Sequence, residues 1–242
     1  MSLNIQINQI LKKFGEVVAL NHVDDSFESG KLHGLIGPEG AGKTTLLRNI
    51  MGLLIPNSGN INFSENGNTI IFSEIKSKIS YMPQRQSLYP DLSIEEHLTF
   101  FKSLYGIDDS TFHKKSKELL EITRLNKFLD RPAGKLSGGM YKKLGLMLAL
   151  LQSPKVLLLD EPTNGVDPIS RREFWELLNH LISDNIIIIY ATSYMDEAER
   201  CDLVHLLDNG RLFFFFFPDE LLEKAKVKTF DEYYLTHTKE TV

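Results

Sequence analysis

The chain has 242 residues, 42% of them hydrophobic, enough to bury a full core in one large α/β domain. Its net charge of −5 supplies no overall basic field for nucleic acid, and no nucleic-acid partner is expected. The single Cys201 excludes a disulfide framework within the chain. No run of eighteen apolar residues offers a membrane span, so a role at a membrane would need another chain to cross it.

Residues 1–9 alternate apolar and polar side chains and lack the basic-then-apolar layout of a signal peptide. Leu3 to Ile7 and Val18 to Phe27 have strand content, with Phe14-Gly15 punctuating between them. Next comes an apolar run, Leu32 to Ile36, then Gly37-Pro38-Glu39-Gly40-Ala41-Gly42-Lys43-Thr44, then a helix-like segment from Thr45 to Leu54. Strand, glycine-rich loop and helix in that order form a P-loop, and each residue type has a physical task. Glycines at 37, 40 and 42 let backbone N–H groups turn inward around a phosphate, and the following helix aims its positive dipole end at the same place. Lys43 can place its ammonium on the terminal phosphates, and the Thr44 hydroxyl can ligate Mg²⁺. A random chain of this length would show the pattern roughly once in a hundred, and the flanking strand and helix reduce that further. Phe14 reads as core, or as a ring able to stack on an adenine.

Pro56-Asn57-Ser58-Gly59 makes a turn, and Asn60 to Phe63 and Thr69 to Phe72 read as short strands. After Ile79 to Gln84 the texture becomes helical. Ser93-Ile94-Glu95-Glu96 is a capping box opening a helix to about Leu104, and Thr111 to Leu125 gives a second helix with an apolar stripe. Leu136-Ser137-Gly138-Gly139-Met140 precedes an apolar-periodic helix, Leu144 to Leu151. Ser137 suits an N-cap, and the two glycines expose helix N–H groups as a second potential phosphate site.

Val156 to Leu159 is a continuous apolar run ending in Asp160-Glu161, as a buried parallel strand delivering acids at its C-terminal end would be. Two adjacent carboxylates there suit Asp160 holding Mg²⁺ and Glu161 polarising an attacking water. Pro168 marks a helix start, with the helix running from Ile169 to Ile182. Ile186 to Thr192 reads as another buried strand, Met195 to Arg200 as a helical turn, and Leu203 to Asp208 enters a hairpin through Asn209-Gly210. Phe213 to Phe217 reads as a strand whose alternate rings are buried, at a sheet edge or a partner contact. The tail from Pro218 to Val242 reads as short helices.

From Leu3 to about Leu222 these residues resemble the ATP-binding cassette (ABC) family, specifically the nucleotide-binding subunit of a membrane transporter. The order of the motifs carries the likeness: Phe14 at the aromatic position, Gly37 to Thr44 as Walker A, Gln84 as the Q-loop, Leu136 to Met140 as the signature, Val156 to Glu161 as Walker B, and Asn164 to Asp167 as the D-loop. The resemblance implies an α/β P-loop NTPase core with a mixed or parallel sheet, an N-terminal antiparallel β subdomain and an inserted helical subdomain. It implies one domain, with residues 1–84 and 141–242 as the ATP-binding core and 85–140 as the helical subdomain carrying the signature.

ATP and Mg²⁺ are the implied ligands. Nucleotide would be bound by Phe14, Gly37, Pro38, Glu39, Gly40, Ala41, Gly42, Lys43, Thr44 and Thr45, with Ser137, Gly138 and Gly139 reaching it from a second cassette, head to tail, in a homodimer or heterodimer. Metal would be held by Thr44, Gln84 and Asp160, and catalysis carried by Glu161, Lys43, Gln84 and Ser193. A transmembrane permease is the implied partner, docked near Tyr81 to Leu104, with the chain peripheral on the cytoplasmic face of the membrane. The segments from Asp160 to Pro168 and from Tyr194 to Asp202 look most like the drug- and polysaccharide-exporting type.

Three positions depart from the family pattern. Glu39 stands where Asn is usual, and a carboxylate about 6 Å from a phosphate costs about 3 kcal/mol at an effective dielectric near 20, so Glu39 should face solvent or a partner. Met140 replaces Gln at the end of the signature, a modest change. Ser193 stands in place of the switch histidine, so slow hydrolysis is expected, since one lost transition-state donor costs about 10² to 10³ in rate. Two alternatives stay open: a non-hydrolysing subunit of an asymmetric complex, and a soluble cassette protein with no part in transport.

Overall fold

The computed structural model describes residues 2–85, 88–182, 186–216, 218, 227, 229, 230 and 232. Two long strands open the chain, β1 (Leu3–Phe14) and β2 (Val17–Glu28), joined by a tight turn at Gly15, where φ is +57°. They pair antiparallel, and Leu3, Ile5, Ile7 and Ile10 are all buried on one side. Both strands run past the short apolar stretches that announce them, because cross-strand pairing carries polar residues such as Lys12 and Lys13 along with their neighbours.

β3 (Leu32–Ile36) is buried throughout and leads into α1 (Lys43–Ile50). The helix ends four residues before Leu54, where Gly52 takes a φ of +75° and breaks the ladder. β4 (Ser58–Glu65) and β5 (Asn68–Ile70) complete a four-stranded antiparallel sheet in the order β2-β1-β4-β5. Phe72 falls outside the strand expected there and starts a short helix, α2 (Phe72–Ile75).

β6 (Ile79–Met82) precedes the helical stretch, α3 (Ile94–Tyr105) and α4 (Asp109–Thr123). The capping box is formed in both directions: Glu96 N–H donates to Ser93 Oγ at 3.2 Å, and Ser93 N–H donates to Glu96 Oε2 at 2.7 Å. α5 (Gly138–Leu150) begins six residues before the apolar run Leu144 to Leu151, because Ser137 caps it through Met140 N–H at 3.3 Å. β7 (Val156–Asp160), α6 (Pro168–Leu181) and β8 (Ile187–Thr192) follow, with Asp167 accepting from Ile169 N–H and Ser170 N–H to cap α6. Residues 195–200 form the helical turn read from sequence, and β9 (Leu203–Asp208) and β10 (Arg211–Phe216) make the closing hairpin.

The second sheet has six strands in the order β10-β9-β3-β8-β7-β6, parallel except for the β9/β10 pair. It is therefore the mixed sheet that the resemblance implies. Its parallel strands are buried on both faces, and each fully buried Ile or Leu contributes about 1.5–3 kcal/mol relative to exposure. One apolar core lies between this sheet and α3 to α6, and a second is shared with the antiparallel sheet and α1. β10 ends the strand order, as expected of an edge. Phe213 is 37% exposed; the rings from Phe214 to Phe217 and most of the tail from 218 lie outside the described residues. Among the described residues no helix is long and apolar enough to cross a membrane.

Candidate active site

The parallel register brings three strand tips into one row: Ile36 of β3 pairs with Thr192 of β8, and Asp160 of β7 pairs with Ala191. Every residue that follows these tips faces the same edge of the sheet, the position where open α/β sheets bind ligands. Gly37 N–H donates to Thr192 O at 3.3 Å, and a Cβ on Gly37 would stand 2.0 Å from Leu207 O, so no other residue fits there without shifting the backbone. Gly42 takes a φ of +109°, and a Cβ there would meet Ala19 O at 2.5 Å. The glycines thus serve close packing of the loop as well as exposure of its amides.

Lys43 is the first residue of α1 and is 6% exposed. Its ammonium donates to Gly37 O at 2.7 Å and Pro38 O at 2.9 Å, and lies 3.3 Å from Glu161 Oε1. Glu161 is held by its backbone: N–H donates to Ala191 O at 2.8 Å with φ at +47°. Ser193 follows β8, and its hydroxyl donates to Glu161 Oε2 at 3.4 Å, a long contact. Lys43, Glu161 and Ser193 therefore form one chain of polar contacts.

Asp160 is fully buried. Thr44 Oγ1 donates to its Oδ1 at 3.0 Å and the Tyr81 hydroxyl to its Oδ2 at 2.8 Å, while no cation pairs with it among the described residues. Burial, and after it the negative Asp160, push the Tyr81 phenol up to about 12, which keeps it a donor. A buried carboxylate without a cation is costly, and a carboxylate beside a hydroxyl is a hard oxygen donor set, so Thr44 and Asp160 fit a magnesium ion. Gln84 is exposed at the rim. Its backbone carbonyl accepts from Lys142 Nζ at 3.2 Å, and the Lys142 ammonium is pushed down by burial against the opposing pull of Asp160 and Glu161.

A cleft of about 360 Å³ opens over these groups, walled by residues 17–19 of β2, residues 39–45, Gln84 and Glu161. Glu39 lies on its rim and is exposed, as its charge requires. Phe14 is not on the wall. It pairs with Val17 at the end of the β1/β2 hairpin, 49% exposed, with the Lys12 ammonium 5.3 Å from its ring centroid, so it is not a core residue. Ser137, Gly138 and Gly139 are not brought to this cleft either. Ser137 and Gly138 are exposed, and Gly139 packs so closely on α6 that a Cβ would stand 2.3 Å from Ser170 Oγ.

Sequence reading missed two contributors. Tyr81 and Lys142 reach Asp160 and Gln84 across strands and helices far apart in the chain, and no local pattern marks such a contact. A third group, at the end of β8, is also unannounced: Glu197 Oε1 accepts from Thr163 and from Arg171 at 2.8 Å and from Trp175 at 3.2 Å, tying residues 195–200 to α6.

Fold and site together define a P-loop nucleotide-binding protein: a glycine loop at the tip of a parallel strand, with its lysine and threonine meeting two carboxylates from another strand. The family model described as ABC transporter matches residues 20–164, and the chain belongs to that family. It is 41% identical over 234 residues to "Probable multidrug ABC transporter ATP-binding protein YbhF" of Escherichia coli (strain K12), covering 93% of this chain and 39% of that protein. The chain thus spans well under half the length of that relative. With "Nod factor export ATP-binding protein I" of Burkholderia lata it shares 36% identity over 208 residues, 86% of this chain and 68% of that one. Among solved structures, one described as "Structure of ATP binding subunit of ABC transporter" superposes with a TM-score of 0.82 at 28% identity, covering 97% of this chain and 99% of the other. The cbiO1 protein of Clostridium perfringens, part of the cbiONQ complex, gives a TM-score of 0.80 at 26% identity over 92% of this chain and 91% of its own.

Proposed function

We propose that this chain is the ATP-binding and ATP-hydrolysing subunit of a transporter, working against a separate membrane-spanning permease in the direction of export. The observation that carries the reading is a cleft large enough for a nucleotide's phosphates, lined by Lys43, Thr44 and Glu161, with the buried Asp160 bonded to Thr44. The loop carbonyls and Glu161 hold the Lys43 ammonium where phosphate oxygens would compete for it. Once Lys43 turns to phosphate, Glu161 is free to accept the proton of a water attacking the terminal phosphorus, giving ADP and inorganic phosphate. Thr44 and Asp160 would hold Mg²⁺, which supplies charge neutralisation on the phosphates. Gln84, at the rim, would sense that metal and the water, and Phe14 would stack on the base. The names of the multidrug and Nod factor relatives support the direction of transport.

The exposed Ser137 and Gly138 at the start of α5 leave N–H groups available to a second cassette, head to tail. Residues near Tyr81 to Leu104 form the proposed permease face, on the cytoplasmic side of the membrane. An ATP-dependent dimer of Glu161→Gln, lost in the double variant carrying Ser137→Arg, is the expected result in size-exclusion chromatography. A monomer under saturating ATP and Mg²⁺ would refute the arrangement. A non-hydrolysing subunit of an asymmetric complex is the second reading, favoured by the hydroxyl of Ser193 standing where a chargeable ring would act.

A further inference from the structure

Asp160 is the carboxylate of the proposed magnesium site, and its two oxygens are treated differently. Thr44 Oγ1 lies at 3.0 Å from Oδ1 and the Tyr81 hydroxyl at 2.8 Å from Oδ2. A carboxylate with one bonded oxygen can rotate about its last torsion. With a donor on each oxygen its plane is fixed. Thr44 is itself a proposed ligand, so its hydroxyl would have to serve the metal and Asp160 together. Tyr81 has no such second duty, since it stands on β6, in register with Leu158, behind the carboxylate from the side of a different strand.

We propose that Tyr81 is a positioning residue of the divalent-metal site, its phenol O–H holding Asp160 Oδ2 so that the Oδ1 edge faces the cation beside Thr44. Thr44, in the first turn of α1, bonds the other oxygen, so the orientation of Asp160 is tied to the helix that also carries Lys43. A hydroxyl bonded to this carboxylate does for it what outer partners do for metal ligands generally, and loss of such a partner weakens metal binding about 10- to 100-fold. This inference rests on reading the cleft as a nucleotide site with a divalent cation.

The test uses Mn²⁺ as probe, titrated into the ATP-loaded chain and followed by electron paramagnetic resonance. Tyr81→Phe keeps the ring and its packing and removes only the hydroxyl, and Asp160→Asn calibrates loss of the carboxylate itself. The expected result is Mn²⁺ affinity at least about 10-fold weaker in Tyr81→Phe, with metal-free ATP affinity and melting temperature as in the parent. Mn²⁺ affinity equal to the parent's overturns the inference and leaves the nucleotide site standing. Equal weakening of metal-free ATP binding also overturns it, because that marks a distorted cleft. A parent chain that binds ATP but no Mn²⁺ overturns the metal site and the inference with it.

Discussion

At Glu161 the backbone takes a left-handed φ of +47°, which a residue with a Cβ adopts at a cost of order 1–3 kcal/mol. The strain is held by the bond from Glu161 N–H to Ala191 O, and it points the carboxylate between Lys43 and Ser193. A second polar chain lies deeper. Asp25 Oδ1 accepts from His205 Nδ1 at 2.7 Å, His205 Nε2 meets His33 Nδ1 at 3.0 Å, and His33 Nε2 faces Glu28 O at 2.9 Å and Glu28 N–H at 3.2 Å. Burial, and next the neighbouring His205, bring the His33 imidazole down to about 4 from its ordinary 6.5. The folded value lies below the unfolded one, so the unfolded chain binds more protons between them. The stability this group contributes is whole above pH 6.5 and is lost as pH falls from 6.5 towards 4, about 3 kcal/mol in all. Melting temperature measured from pH 7.5 to pH 5 should therefore fall more steeply in the parent than in His33→Gln; parallel curves would contradict this. Lys43, Thr44, Asp160 and Glu161 were legible in sequence because loop and strand motifs are contiguous there. Tyr81 and the His33–His205 pair were not, because a strand register sets them.

Among the elements, α3 shows how local signals translate into structure. Ser93 and Glu96 satisfy each other's backbone donors, and the cap residue also sits at a bridge to Pro132. Ser93→Ala removes one half of the box and should cost about 1 kcal/mol, which is a fall of about 2–4 °C in a chain of this size. Differential scanning calorimetry checks it, and an unchanged transition would show that the cap does not stabilise the fold. Local sequence marks the type of an element more closely than its ends. α5 starts at Gly138, where helix propensity argues against it, because Ser137 supplies the cap and α6 requires a residue without Cβ at 139. β1 and β2 exceed their apolar stretches because sheet pairing extends order into polar residues. Phe72 looked like a strand end and became a helix start, a choice that a short β-branched run cannot decide.

Across the whole molecule, the nucleotide cleft and the signature residues occupy different places on one chain. The cleft lies at the tips of β3, β7 and β8, whereas Ser137 and Gly138 are exposed at the start of α5 and Gly139 packs on Ser170 of α6. On the proposed reading a second cassette would complete a site so divided, an expectation that comes from the order of motifs in the family and not from local propensity. Within the chain, Arg171 of α6 bonds both Asp196 and Glu197 and lies 4.7 Å from the Tyr194 ring, so α6 and the segment after Ser193 are fastened together. The proposed second cassette would meet the chain beside this clasp. The measurement that bears most directly on the account is Mg²⁺-dependent ATP hydrolysis by the purified chain beside Glu161→Gln and Ser193→His. The account predicts slow turnover in the parent, none in Glu161→Gln with ATP still bound, and a rise of about 10-fold or more in Ser193→His. Turnover that survives Glu161→Gln, or absence of hydrolysis in all three chains, would contradict it.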